Sequence, residues 1–112
     1  MKIEIITTPE FDKEYKRLKK KYQSLPNDLA IFEHELIENH QLGVDLGSNF
    51  RKVRLAIKTK NKGKSGGGRI ITYSILVNVA NAKIVLVVIY DKGEEQSISD
   101  SRIKQIMNKF KF

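Results

Sequence analysis

Hydrophobic and polar positions along this chain follow two periods in turn, and their order outlines a fold. Residues 2–7 alternate, Ile3 and Ile5 against Lys2 and Glu4, and their β-branched content predicts a short first strand. Thr8-Pro9-Glu10 is a helix start: Thr8 can cap, Pro9 suits the first helical position, and Glu10 and Asp12 favour the first turn. Phe11, Tyr15, Leu18 and Tyr22 then recur at helical spacing, with lysines and Arg17 on the other faces. A second helix starts near Ser24-Leu25-Pro26, carries Leu29, Phe32, Leu36 and Ile37 on one side, and ends around His40 before Gly43. Short spacing between the two predicts a helical hairpin.

After a loop over residues 43–49 the period becomes two. Val53, Leu55 and Ile57 point one way and Lys52, Arg54 and Lys58 the other, which gives a strand with a cationic face. Residues 58–68 (KTKNKGKSGGG) read as a mobile glycine-rich loop, and residues 69–77 as the next strand. A tight connection at 78–81 leads to residues 83–90 (KIVLVVIY), whose apolar run suits an interior strand covered on both faces. Ser99 caps a last helix, Ile98 and Ile103 form a hydrophobic staple, and Ile103, Ile106, Met107 and Phe110 make its apolar stripe. The order β-α-α-β-β-β-α predicts one α+β domain over residues 1–112, with helices packed on a mainly antiparallel sheet.

Charge changes this picture by being unevenly distributed. Residues 1–45 balance to −2 and residues 91–112 to +1, whereas residues 46–90 carry nine cations and no carboxylate. A solvated surface ordinarily mixes signs. A one-sign segment repels itself, so its natural partner is a polyanion, either nucleic acid or an acidic protein surface. No apolar run is long enough to span a bilayer and the N-terminus lacks a secretory pattern, so a cytoplasmic location without a membrane partner is expected.

Several chemistries fail on spacing. Gly63-Lys64-Ser65 imitates the end of a phosphate-binding loop, but Lys58 stands where that motif needs its first glycine. His34 and His40 lie six residues apart on one helix and diverge, so they make a poor acid/base pair. The basic stretch has no carboxylates to hold a hard cation, and the chain has no cysteine for a thiolate zinc site, so no metal or other cofactor is expected. What remains is an array: Lys52, Arg54 and Arg69 on adjoining strands, with Lys58, Lys60, Lys62 and Lys64 around the loop. Such cations can neutralise backbone phosphates passively, or stabilise the charge of a pentacoordinate phosphate in a cleavage reaction.

Phe50-Arg51-Lys52-Val53-Arg54-Leu55, the glycine-rich turn, Gly68-Arg69-Ile70-Ile71-Thr72-Tyr73 and the apolar strand ending Ile89-Tyr90-Asp91-Lys92 together resemble the RelE/ParE toxin superfamily. Residues 61–69 (NKGKSGGGR) are similar to the loop of its HigB-type branch. The resemblance implies a RelE-like fold and the toxin of a toxin–antitoxin pair. It further implies an endoribonuclease that enters the ribosomal A site, against 16S rRNA, where the messenger's 2′-hydroxyl attacks its own 3′-phosphate, and an acidic antitoxin as keeper. Lys52, Arg54 and Arg69 match the family's strand cations and become catalytic candidates. The family's further arginine after the fourth strand has no match, and Lys92 is the substitute at hand. Residues 97–112 hold no tyrosine, which leaves Tyr90 in place of the family's tyrosine near the last helix. Lys58, Lys60, Lys62 and Lys64 become RNA contacts. Two alternatives remain: a ParE-like blocker of DNA gyrase, for which the cationic trio has no purpose, and a noncatalytic RNA-binding module. Basic strands without evident aromatic pairs disfavour the module, because stacking platforms usually carry them.

Overall fold

Thr8 caps the first helix as its sequence predicts: its side chain accepts from the Phe11 N–H, and Pro9 opens helix α1 (Pro9–Lys21). This view comes from a computed structural model that describes residues 1–110. Lys111 and Phe112, the end of the domain expected over residues 1–112, lie outside the described residues. Strand β1 (Lys2–Thr7) precedes α1, and α2 (Leu25–Glu38) follows it as the other arm of the hairpin. Strands β2 (Val44–Gly47), β3 (Phe50–Leu55), β4 (Gly68–Asn78) and β5 (Asn81–Asp91) come next, with a single 3-10 turn (Lys58–Lys60) and a four-residue helix α3 (Gly63–Gly66) between β3 and β4. Helix α4 (Asp100–Lys109) closes the order, capped by Ser99, whose side chain accepts from the Arg102 N–H.

The fold is α+β, and its single sheet runs β1-β5-β4-β3-β2, with β1 parallel to β5 and the other pairings antiparallel. The observed order corrects the expected β-α-α-β-β-β-α at two places. Val44–Gly47, expected as loop, pairs with β3 through a turn in which Ser48 and Asn49 take positive φ. The density of Gly, Ser and Asn that marked a loop is the turn chemistry of a hairpin. Residues 58–68, expected as a mobile loop, instead contain the two short helical segments, and Gly68 already belongs to β4. Lys58 consequently belongs to the 3-10 turn rather than to the cationic strand, although Ile57 is buried as its period requires.

The helical hairpin covers one face of the sheet, burying Phe11, Leu18, Leu25, Phe32 and Leu36 against Val53, Leu55, Ile70, Ile84, Leu86 and Ile89. Ile37, expected on that inner side, is exposed. Helix α4 covers the other face, setting Ile103 and Ile106 against Ile71, Val85, Val88 and Tyr90. Truncating one such large buried side chain to alanine typically costs about 2–5 kcal/mol.

The interior strand β5 contains the detail that positions the site. Ile71 pairs with Val88 but Thr72 with Leu86, so Val87 is an extra residue at a bulge. Its carbonyl accepts from the Thr8 hydroxyl at 2.7 Å. A bulge reverses the in–out parity of everything after it. Tyr90 therefore comes to the α4 face and Asp91 to the hairpin face.

Candidate nucleic-acid interface

Cross-strand register places three of the expected residues in one row. Arg54 on β3 pairs with Arg69 on β4, and Arg69 pairs with Tyr90 on β5. Lys52 stands two residues from Arg54 on the same face of β3, since side chains alternate along a strand. Its Nζ lies 3.4 Å from Ser97 Oγ, in the segment leading to α4. Arg54 is exposed and Lys52 half-buried, and none of Lys52, Arg54 or Arg69 forms an ion pair among the described residues. Like charges directly opposite on paired strands destabilise a sheet. The Arg54–Arg69 pair therefore sets two cations opposite one another on one face of the sheet, an arrangement that an anion would favour.

Arg69 is held tightly. Its side chain is 5% exposed, and its guanidinium donates to the carbonyls of Lys64 (3.0 Å), Gly68 (2.9 Å) and Ser65 (3.2 Å). Of the five guanidinium N–H groups, two remain for another acceptor. Tyr90 beside it is also buried, and its hydroxyl has no hydrogen-bond partner among the described residues. Burial pushes the Tyr90 phenol up from its ordinary range, against an opposing pull from Arg69, so at neutral pH the group is a protonated donor. Lys92, after the strand, is half-buried, and its backbone N–H donates to the Gly67 carbonyl at 3.1 Å.

The loop lysines divide. Lys58 and Lys62 are exposed and form no ion pair among the described residues, while Lys64 pairs with Glu35 at 3.2 Å in solvent. Lys60, expected as an RNA contact, turns inward: its side chain is 10% exposed and its Nζ lies 2.6 Å from Asp91 Oδ1. Burial alone would raise the Asp91 carboxyl, but hydrogen bonds from Lys60, Tyr22 and the Gly93 N–H outweigh it and hold the group down to about 2. The Tyr22 hydroxyl donates to Asp91 Oδ2 at 2.5 Å, and Lys21 stands 3.5 Å from the same oxygen. Lys21 and Arg17 also pair with Glu94, at 3.4 Å and 2.7 Å.

Sequence reasoning missed this second cluster, because Asp91 meets partners 31 and 69 residues away and neither separation leaves a periodic trace. It also missed an aromatic pair on the cationic face, which removes the ground on which a noncatalytic RNA-binding module was disfavoured. Phe50 and Tyr73 are cross-strand partners, half-buried, with ring centroids 4.7 Å apart. Phe50 was legible from β3 alternation; Tyr73 required the register. Among the described residues, no helix is long and apolar enough to cross a membrane, and no three His, Asp or Glu side chains are grouped to hold a metal ion. No known protein-family model matches the sequence.

Proposed function

We propose that this chain is the toxin of a toxin–antitoxin pair, an endoribonuclease that cuts messenger RNA on the ribosome without a metal ion. The observation that carries the reading is the row Arg54–Arg69–Tyr90 with Lys52 beside it: cations from two adjoining strands, unpaired, next to a buried phenol. The motif resemblance of residues 50–97 supplies the substrate and the ribosome. In the proposed reaction the 2′-hydroxyl gives up its proton to solvent as its oxygen attacks the adjacent phosphorus, the bond from phosphorus to the 5′-oxygen breaks, and that oxygen takes up a proton, leaving a cyclic phosphate and a free 5′-hydroxyl. Arg54 and the two N–H groups of Arg69 left without a partner would meet the charge that grows on the non-bridging oxygens. Preorganised donors of this kind supply about a hundredfold to a thousandfold each. Tyr90, a protonated phenol at neutral pH whose hydroxyl has no partner among the described residues, lies beside Arg69 in the row and is the donor proposed for the leaving oxygen. Lys52 holds the neighbouring backbone, and Lys58, Lys62 and Lys92 add general attraction.

The same face accounts for the keeper. An acidic antitoxin segment, disordered until bound, would neutralise these cations and occupy the row that RNA needs. Primer extension on translated and untranslated copies of one transcript, after induced expression, tests the reading. Cuts at codon-linked positions in the translated copy alone are expected. Equal cutting of both copies would remove the ribosome from the mechanism, and no cutting alongside inhibited DNA supercoiling would favour the gyrase-blocking alternative.

A further inference from the structure

Arg69 is positioned by the loop that precedes it, since two of its three hydrogen bonds go to the carbonyls of Lys64 and Ser65. Where the guanidinium sits therefore depends on where residues 58–67 sit. That segment is tied down on the hairpin side of the sheet. At its start, the Lys58 N–H donates to Asp28 Oδ2 (3.1 Å) and the Thr59 N–H to Ser24 Oγ (2.9 Å). Directly after them, Lys60 reaches Asp91. At its end, the Gly67 carbonyl accepts from the Lys92 N–H (3.1 Å) and from Lys60 Nζ (3.4 Å). Gly67 passes so near β3 that a Cβ there would lie 2.2 Å from the Leu55 carbonyl oxygen, so the close approach requires glycine.

Lys60 thus joins the loop's start and its end to one carboxylate, with Lys64 and Ser65 held between them. That carboxylate follows Tyr90 directly and lies opposite Gly68, while Tyr90 lies opposite Arg69. We propose that Lys60 and Asp91 are a positioning pair: their buried bridge beneath the sheet end fixes the basic loop, and through its carbonyls the Arg69 guanidinium, above Tyr90. The pair touches no RNA. It acts through Arg69, and its catalytic consequence rests on the ribonuclease reading. Misplacing a reacting group by about an ångström can lower a rate on the order of a hundredfold, so a loosened loop has a measurable effect.

The test uses Lys60→Met, Asp91→Asn and the double variant in the full chain, checked for folding by circular dichroism. Two quantities are read: the single-turnover cleavage rate at saturating translated ribosomes, and the exchange with water of the Arg69 Nη–H protons that bond to the Lys64 and Ser65 carbonyls, by NMR. Each single variant is expected to lower the cleavage rate about tenfold or more, leave ribosome affinity within about twofold, and speed exchange at Arg69. Because the two residues act as one unit, the double variant should be no slower than Asp91→Asn alone. If Asp91→Asn does not fold, Lys60→Met, which leaves the carboxylate its Tyr22 and Gly93 bonds, decides the matter. Normal cleavage with an unchanged Arg69 signal would overturn the proposal, as would a rate loss explained wholly by weaker ribosome binding. A wild-type chain that does not cut RNA would sink the ribonuclease reading instead, while the Arg69 signal would still judge the pair.

Discussion

The two faces of the sheet at the ends of β3, β4 and β5 carry similar numbers of cations and use them in opposite ways. On the hairpin face Arg17, Lys21 and Lys60 are bound to Asp91 and Glu94, with Tyr22 completing the set. On the α4 face Lys52 and Arg54 form no ion pair among the described residues, and Arg69 bonds only to carbonyls. Lys60 and Lys62 stand two residues apart in one basic loop, yet one is buried on a carboxylate and the other lies in solvent. Net charge is therefore a poor measure of the charge offered to a partner; what matters is which cations the fold leaves without carboxylates.

The strongest way to break this contrast is to remove Arg69. Arg69→Ala should lower single-turnover cleavage about a hundredfold or more, the scale of losing one preorganised donor, with little change in ribosome affinity. Arg69→Lys should not restore the rate, because an ammonium cannot span the Lys64 and Ser65 carbonyls and a phosphate together. Arg54→Ala should fall in the same range.

Next in size is the stability held by the paired face. The Asp91 carboxyl sits lower in the folded chain, at about 2, than its ordinary value of 3.8. A depressed carboxylate contributes stability that is present above the unfolded value and lost as pH falls through the folded one. Asp91→Asn should therefore cost about 2 kcal/mol at neutral pH, and chemical denaturation should show the gap to wild type closing between about pH 4 and 2. A gap independent of pH would mean that packing, not charge, holds the cluster.

The smallest effects belong to the exposed loop lysines. Lys62→Ala should weaken ribosome association a few-fold and reduce its salt dependence by about one counterion, as read from binding across a salt series. Lys64→Ala should do less, since Glu35 already occupies that cation. Exposed pairs of this kind are worth about 0–1 kcal/mol.

Local signals carried most of the fold. Thr8 and Ser99 cap as their sequence contexts predict, and the apolar run of β5 is buried on both faces. The basic array was legible too, because alternation on β3 suffices to put Lys52 and Arg54 on one face. The parts that were not legible depend on register and on distant contacts. The β5 bulge decides which of Tyr90 and Asp91 joins the cationic face, and a run of consecutive apolar residues has no polar partner by which to mark it. The loop's glycines suggested mobility, whereas Gly67 is needed for contact with β3 and the loop is latched at both ends. Val44–Gly47 was hidden by its own turn residues, and it lacks a buried side chain that would have shown alternation.

In the proposed reaction the unpaired face acts on the scissile phosphate and does not merely attract RNA. Single-turnover cleavage of a translated messenger by Arg54→Ala and Lys62→Ala, each at saturating ribosomes, tests it most directly. Lys62→Ala should cut at the wild-type rate once bound, and Arg54→Ala should remain about a hundredfold slow at any concentration. An Arg54→Ala chain that binds weakly yet cuts normally when saturated would contradict the claim and leave the face as an electrostatic platform.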